Sequence, residues 1–204
     1  MKNSFGLTEQ EYNVLKKLNS PAKVQDFLDG ISYNLKDTCY SPIKVLEHRV
    51  ANCRGGAIFA AAALRVNGHE PLMVDLVAAW NKDDDHELAV FKKNRCWGSI
   101  AKSKFTGLQF RDPVYRSIRE LVMSYFDDYY NEQGEKSLRS YSMPVNLNMF
   151  DEQRWMTSEK DVWFIPEHLV DVKHIKILEE RMRLRKADPL LLKAGMLSYP
   201  KINV

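Results

Sequence analysis

A chain of 204 residues with 45% apolar side chains has enough material for one buried core, and a formal charge of +3 gives no reason to expect nucleic acid or another polyanion as a partner. Its three cysteines, Cys39, Cys53 and Cys96, are odd in number and lack CxxC spacing, which argues against a disulfide framework or a zinc knuckle and fits a reducing compartment. Met1 to Leu7 is not followed by an apolar run of leader length, and the most apolar window, Ala57 to Leu64, is far shorter than a membrane span. The expected setting is therefore the cytoplasm, without a membrane partner.

In chain order, Thr8-Glu9-Gln10-Glu11 has the form of a capping box, and Tyr12, Leu15 and Leu18 follow at helical spacing. Ser20-Pro21 and Ser41-Pro42 each supply a cap and a proline for the first helical position, so short helices lead toward residue 50. Cys53 to Val66 reads as a buried alanine-rich helix closed by Asn67-Gly68. Three strands are then expected: Pro71 to Trp80, His86 to Phe91 after the acidic turn Asn81–Asp85, and Cys96 to Ala101 after a tight turn at Lys92–Arg95. Tight turns make these an antiparallel meander that can pack on the cysteine helix, an α+β arrangement.

Beyond it, Asp112-Pro113 predicts a long amphipathic helix through Tyr129, whose aromatic run suits a core better than a ligand box. Residues 140–146 show no periodicity and predict a wrapped, irregular segment. His174 to Lys186 predicts a terminal helix with a basic solvated face, and 187–204 a loosely held end. The whole is expected to be one domain, with a core at about residues 20–110 and a carboxy-terminal helical extension at about 111–204.

The chemistry centres on Asn52-Cys53-Arg54-Gly55-Gly56. A cysteine at a helix start sits where the helix dipole and unpaired N–H groups favour thiolate, although a cysteine there also fits simple burial. A thiol nucleophile needs a base, and His86, opening a strand after the acidic turn, is the expected one; pairing of His86 with Asp84 or Asp85 is the structural alternative. His48, His69, His168 and His174 lie at helix flanks or in the carboxy-terminal part and are weaker choices. Asp83-Asp84-Asp85-His86-Glu87 is dense in metal-ligand types, but it lacks EF-hand spacing and no HExxH occurs, so neither a metal nor a cofactor is expected.

Cys53 at a helix start, His86 at a strand start and the Trp97 strand beyond it resemble the core of the transglutaminase-like superfamily, papain-related Cys-His-Asp proteins. Most of residues 20 to 165, including Ser20 to Leu28, Ile100 to Ser103 and Arg119 to Tyr125, resembles a group of bacterial transglutaminase-like proteins. The resemblance implies an acid about four residues after the tryptophan, where Ala101 stands. Period-two alternation puts Trp97, Ser99, Ala101 and Ser103 on one face, making Ser103 the nearest polar residue to orient the imidazole. Asp75, Asp84 or Asp85 could substitute from elsewhere. For the oxyanion, the Cys53 N–H, Asn52, His48 and, more distantly, Gln25 are candidate donors.

The expectation is an amide hydrolase or acyl transferase with Cys53 as nucleophile, His86 as proton shuttle, Ser103 as orienter and Asn52 and Trp97 as substrate contacts, acting on a peptide or protein. The competing expectation is a catalytically silent member that binds a peptide or protein in the same cleft.

Overall fold

The computed structural model of the chain describes residues 4–178 and 182–195. Three capped helices lead in. At the head of α1 (Glu9–Lys17), the Glu11 N–H donates to the Thr8 hydroxyl while the Glu11 carboxylate accepts from the Thr8 N–H. Ser20 and Ser41 cap α2 (Pro21–Asp29) and α3 (Pro42–His48), each with its proline at the first turn. A short parallel ribbon, β1 (Ser32–Tyr33) with β2 (Val50–Ala51), delivers the chain to α4 (Cys53–Val66).

Helix α4 is the centre of one core. It is buried from Gly55 through Leu64, with α1, α2 and α3 on one side and the sheet on the other. Alanine and glycine let those neighbours approach closely. A Cβ on Gly56 would lie 2.5 Å from the Lys102 Cβ. Lys102 in turn donates from its buried Nζ to the carbonyls of Leu28 and Ile31 at 2.6 and 2.8 Å, tying the end of α2 to the sheet.

The meander is present as β3 (Leu72–Ala78), β4 (His86–Lys93) and β5 (Cys96–Ile100), all antiparallel. Asn94 and Arg95 take φ of 51° and 66°, the doubly left-handed turn that suits a two-residue hairpin. Side-chain alternation sorts the sheet into two faces. Met73, Ala89, Phe91 and Ile100 pack with α4, whereas Val74, Leu76, Leu88, Val90 and Ala101 pack with a second core containing Tyr125, Tyr129 and Leu121. The chain is thus mixed α+β, with the cysteine helix on one face of an antiparallel sheet.

Four sequence expectations are corrected. Asp112-Pro113 opens no helix: Arg111–Tyr115 is strand β6, the edge partner of β5, and helix α5 is confined to Ile118–Met123 under a Ser117 cap. Proline survives there because an edge strand has N–H positions that need no partner. The aromatics beyond α5 are nonetheless core, as Tyr125 and Tyr129 are buried. The supposedly irregular 140–146 segment contains β7 (Leu138–Ser142) and β8 (Val145–Asn146), both paired with β3 in the middle of the sheet. His174–Lys176 is strand β9 beside β7 rather than the start of a helix; residues 179–181 of that stretch fall outside the described residues. Pro189–Gly195 forms a short helix, α7, and Ala187 is buried, so that part of the end is packed; 196–204 fall outside the described residues. The strand order is β6-β5-β4-β3-β7-β9, with helix α6 (Phe164–Asp171) on the α4 side. Segments from both sides of residue 110 share this one sheet.

No described helix is long and apolar enough to cross a membrane.

Candidate active site

Asn52 starts α4 as its cap. Its Oδ1 accepts from the Gly55 N–H at 2.9 Å and its Nδ2 donates to the Thr38 carbonyl at 2.6 Å, so both ends of its amide hold backbone. This places Cys53 at the first helical position, on the wall of a cavity of about 400 Å³. Tyr33, Arg54, the Asp83–Asp85 turn, His86, Ser103, Leu108, Tyr129 and Tyr130 also line it. Cys53, His86 and Ser103 therefore share one cavity, as does Asn52. Trp97 does not line it: it lies toward the opposite end of β5, beneath the Lys92 ammonium at 4.4 Å.

Within the cavity wall the hydrogen bonds run differently from the expected relay. The Cys53 thiol has the Tyr33 side chain and the Glu87 carboxyl as neighbours that act on it electrostatically. Among the described residues no hydrogen bond joins Cys53 to His86. The His86 Nε2 lies 2.9 Å from the Leu108 carbonyl; since a carbonyl can only accept, Nε2 carries the proton and Nδ1 is the free nitrogen. Ser103 Oγ accepts from the Phe105 N–H at 3.0 Å. Asp85 accepts from the Ala78 N–H and Asp83 from the Ser137 hydroxyl, while Asp84 is open to solvent. The Leu108 carbonyl, not Asp84 or Asp85, is thus the partner of His86.

The electrostatics follow burial. His86 is pushed down to about 4 by loss of solvent, with the Arg111 charge adding to the shift, and so is neutral near pH 7. The Cys53 thiol is pushed well above its ordinary value, chiefly by burial and next by the Glu87 charge. Burial likewise drives Glu87 up to about 8, reinforced by Asp75 and opposed by Arg54, whose Nε lies 3.3 Å from Glu87 Oε1. A helix start alone does not make a thiolate when the surroundings are dry and acidic.

Glu87 is the functional candidate that the sequence reading passed over. The signal was available in the period of the strand: if Ala89 and Phe91 face α4, so does Glu87, and His86 faces the other core. The oxyanion candidates also resolve. Asn52 holds backbone with both ends of its amide, Gln25 is committed to the backbone of Ala101, and His48 stands beside Glu47 and Tyr40 away from the cavity. Among the described residues no group of three or more His, Cys, Asp and Glu side chains is arranged to hold a metal ion.

Comparison with protein-family models and with curated proteins finds no match. Among solved structures, the chain aligns with a protein from Cytophaga hutchinsonii provisionally described as a cysteine protease, at 16% identity and a TM-score of 0.36. The alignment covers 48% of this chain and 38% of that one.

Proposed function

We propose that the chain is a cysteine-dependent amide hydrolase or acyl transferase with a transglutaminase-like, papain-related core, acting on a peptide-like carbonyl in the cavity beside α4. The observation that carries this reading is the shared cavity: Cys53 at a helix start, with His86 and Ser103 on the same walls. In the reaction, the Cys53 sulfur attacks the carbonyl carbon, the amine departs with a proton, and water or a second amine releases the acyl group. His86, neutral and with Nδ1 free, is the cavity group suited to take a proton from the water or second amine that releases the acyl group; Ser103 lines the same cavity.

A second reading is a silent peptide- or protein-binding module. It is favoured by Ala101 standing where the third catalytic residue would be, and by the tie between His86 and Leu108.

Pre-steady-state acylation by p-nitrophenyl acetate separates the two. The enzyme reading expects a burst with the acetyl group mapped to Cys53 and lost in Cys53→Ala. A burst no larger than that of Cys53→Ala would reject it in favour of the binding module.

A further inference from the structure

Behind Cys53 a row of polar residues crosses four neighbouring strands. Glu87 on β4 stands directly opposite Asp75 on β3. The Asp75 N–H donates to Ser142 Oγ on β7 at 2.9 Å, and Ser142 stands opposite His174 on β9. Asp75 and Glu87 are both at least nine-tenths buried. The buried side-chain atoms without a hydrogen-bond partner among the described residues are Asp75 Oδ1, Glu87 Oε2 and His174 Nε2, and all three belong to this row. Folded proteins rarely leave such atoms unused without a functional reason.

The row also has a direction. At its inner end Glu87 faces α4, with Oε1 3.3 Å from Nε of Arg54, the residue that follows Cys53. At its outer end the His174 side chain is 22% exposed, and its Nδ1 donates to the Val172 carbonyl at 2.8 Å, which leaves Nε2 toward Asp75 Oδ2 at 3.9 Å. The groups facing Glu87 are Asp75 from β3, Cys53 and Arg54 from α4, Tyr33 from β1 and Cys39 from the loop before α3. His174 is faced by Asp75 and, at longer range, Asp85.

We propose that Glu87, rather than His86, accepts the Cys53 thiol proton, with Asp75 and, behind it, His174 as positioning residues. The inference rests on the reading of Cys53 as a nucleophile. The S–H bond breaks, its proton passes to a Glu87 carboxylate oxygen, and the sulfur electron pair forms the new bond to the electrophilic carbon. Glu87 then hands that proton to the departing amine and is a carboxylate again, so the proton taken from the thiol leaves with the amine. Glu87 suits this exchange because its proton affinity lies far closer to that of the thiol than His86's does.

The test is the pH profile of Cys53 alkylation by iodoacetamide in the full chain, read by peptide mapping with buried Cys39 as an internal report on unfolding. Wild type should alkylate with a rate that climbs through about pH 8 as Glu87 loses its proton. Glu87→Gln should cut that rate at least about tenfold and abolish the inflection, as expected for loss of a general base. An unchanged or faster rate in Glu87→Gln would overturn the proposal, because a residue that merely repels negative charge would free the thiol when neutralised. Should Cys39 label and so show Glu87→Gln to be unfolded, Asp75→Asn decides. Its inflection should move to lower pH, and an inflection that stays in place would overturn the proposal. A wild-type Cys53 that does not alkylate at any pH defeats the nucleophile reading itself, a result distinct from an altered partner.

Discussion

The two faces of the sheet treat their polar residues in opposite ways. On the face away from α4, polar groups are buried and satisfied: Tyr129 donates toward the carbonyls of Leu76 and Asp84, Ser99 bonds Tyr125, and His86 bonds Leu108. On the α4 face, Glu87, Asp75 and His174 keep unpartnered buried atoms beside a cysteine. A complete network rigidifies a core, whereas an incomplete one costs stability that only a task at the site explains. On the proposed reading the thiol's base belongs to the α4 face, whereas His86, the expected base, belongs to the other.

Substitutions can sharpen that contrast. The largest effect should come from Tyr129→Phe, which removes the donor of the buried Leu76 carbonyl and of the part-buried Asp84 carbonyl and should cost about 1–3 kcal/mol in urea unfolding. Gly56→Ala comes next: the new methyl meets Lys102 Cβ, and overpacking at this contact between α4 and the segment after β5 should cost about 1–2 kcal/mol by the same measurement. Glu87→Gln, by contrast, should leave stability within about 1 kcal/mol of wild type at neutral pH, since it removes a buried carboxyl that is already mostly protonated. A loss as large as that of Tyr129→Phe would erase the difference between the faces.

The faces should also respond to pH with opposite sign. Glu87 holds its proton in the folded state up to about 8, against an ordinary 4.5, so the folded chain binds more protons than the unfolded one between those values. Its contribution is fully present below about 4.5 and is lost as pH rises through about 8. For His86 the folded value of about 4 lies below the ordinary 6.5, so its contribution is present above about 6.5 and is lost as pH falls through about 4. Stability curves of Glu87→Gln and His86→Gln, each subtracted from wild type, should therefore slope in opposite directions between about pH 5 and 7. Parallel slopes would contradict the assignment. The smallest effect is expected at Trp80, 89% exposed on the β3 to β4 turn, where Trp80→Ser should change stability by less than about 0.5 kcal/mol.

Much of the leading half was legible because its signals are local. Thr8, Ser20 and Ser41 cap helices by themselves, and Asn94-Arg95 closes a hairpin whatever lies around it. The carboxy-terminal strands were hidden because their reason is tertiary. Ser140 and Ser142 spoil the apolar alternation of β7, yet Ser142 serves the backbone of Asp75 in the sheet interior. Pro113 reads as a helix start, but an edge position beside β5 makes it a strand residue. In the site, the position of Cys53 was legible from the alanine-rich run after it. The partner proposed for it was harder to read, because choosing between His86 and Glu87 requires knowing which face of β4 meets α4. His174 was discounted for its place near the end of the chain, and only the pairing of β9 with β7 aligns it with the site.

The most direct measurement of the central claim compares Cys53 alkylation rates in Glu87→Gln and His86→Ala side by side at about pH 8, with Cys39 protection confirming that both are folded. The account predicts the slower rate in Glu87→Gln, with His86→Ala close to wild type. A slower rate in His86→Ala, with Glu87→Gln unaffected or faster, would contradict it.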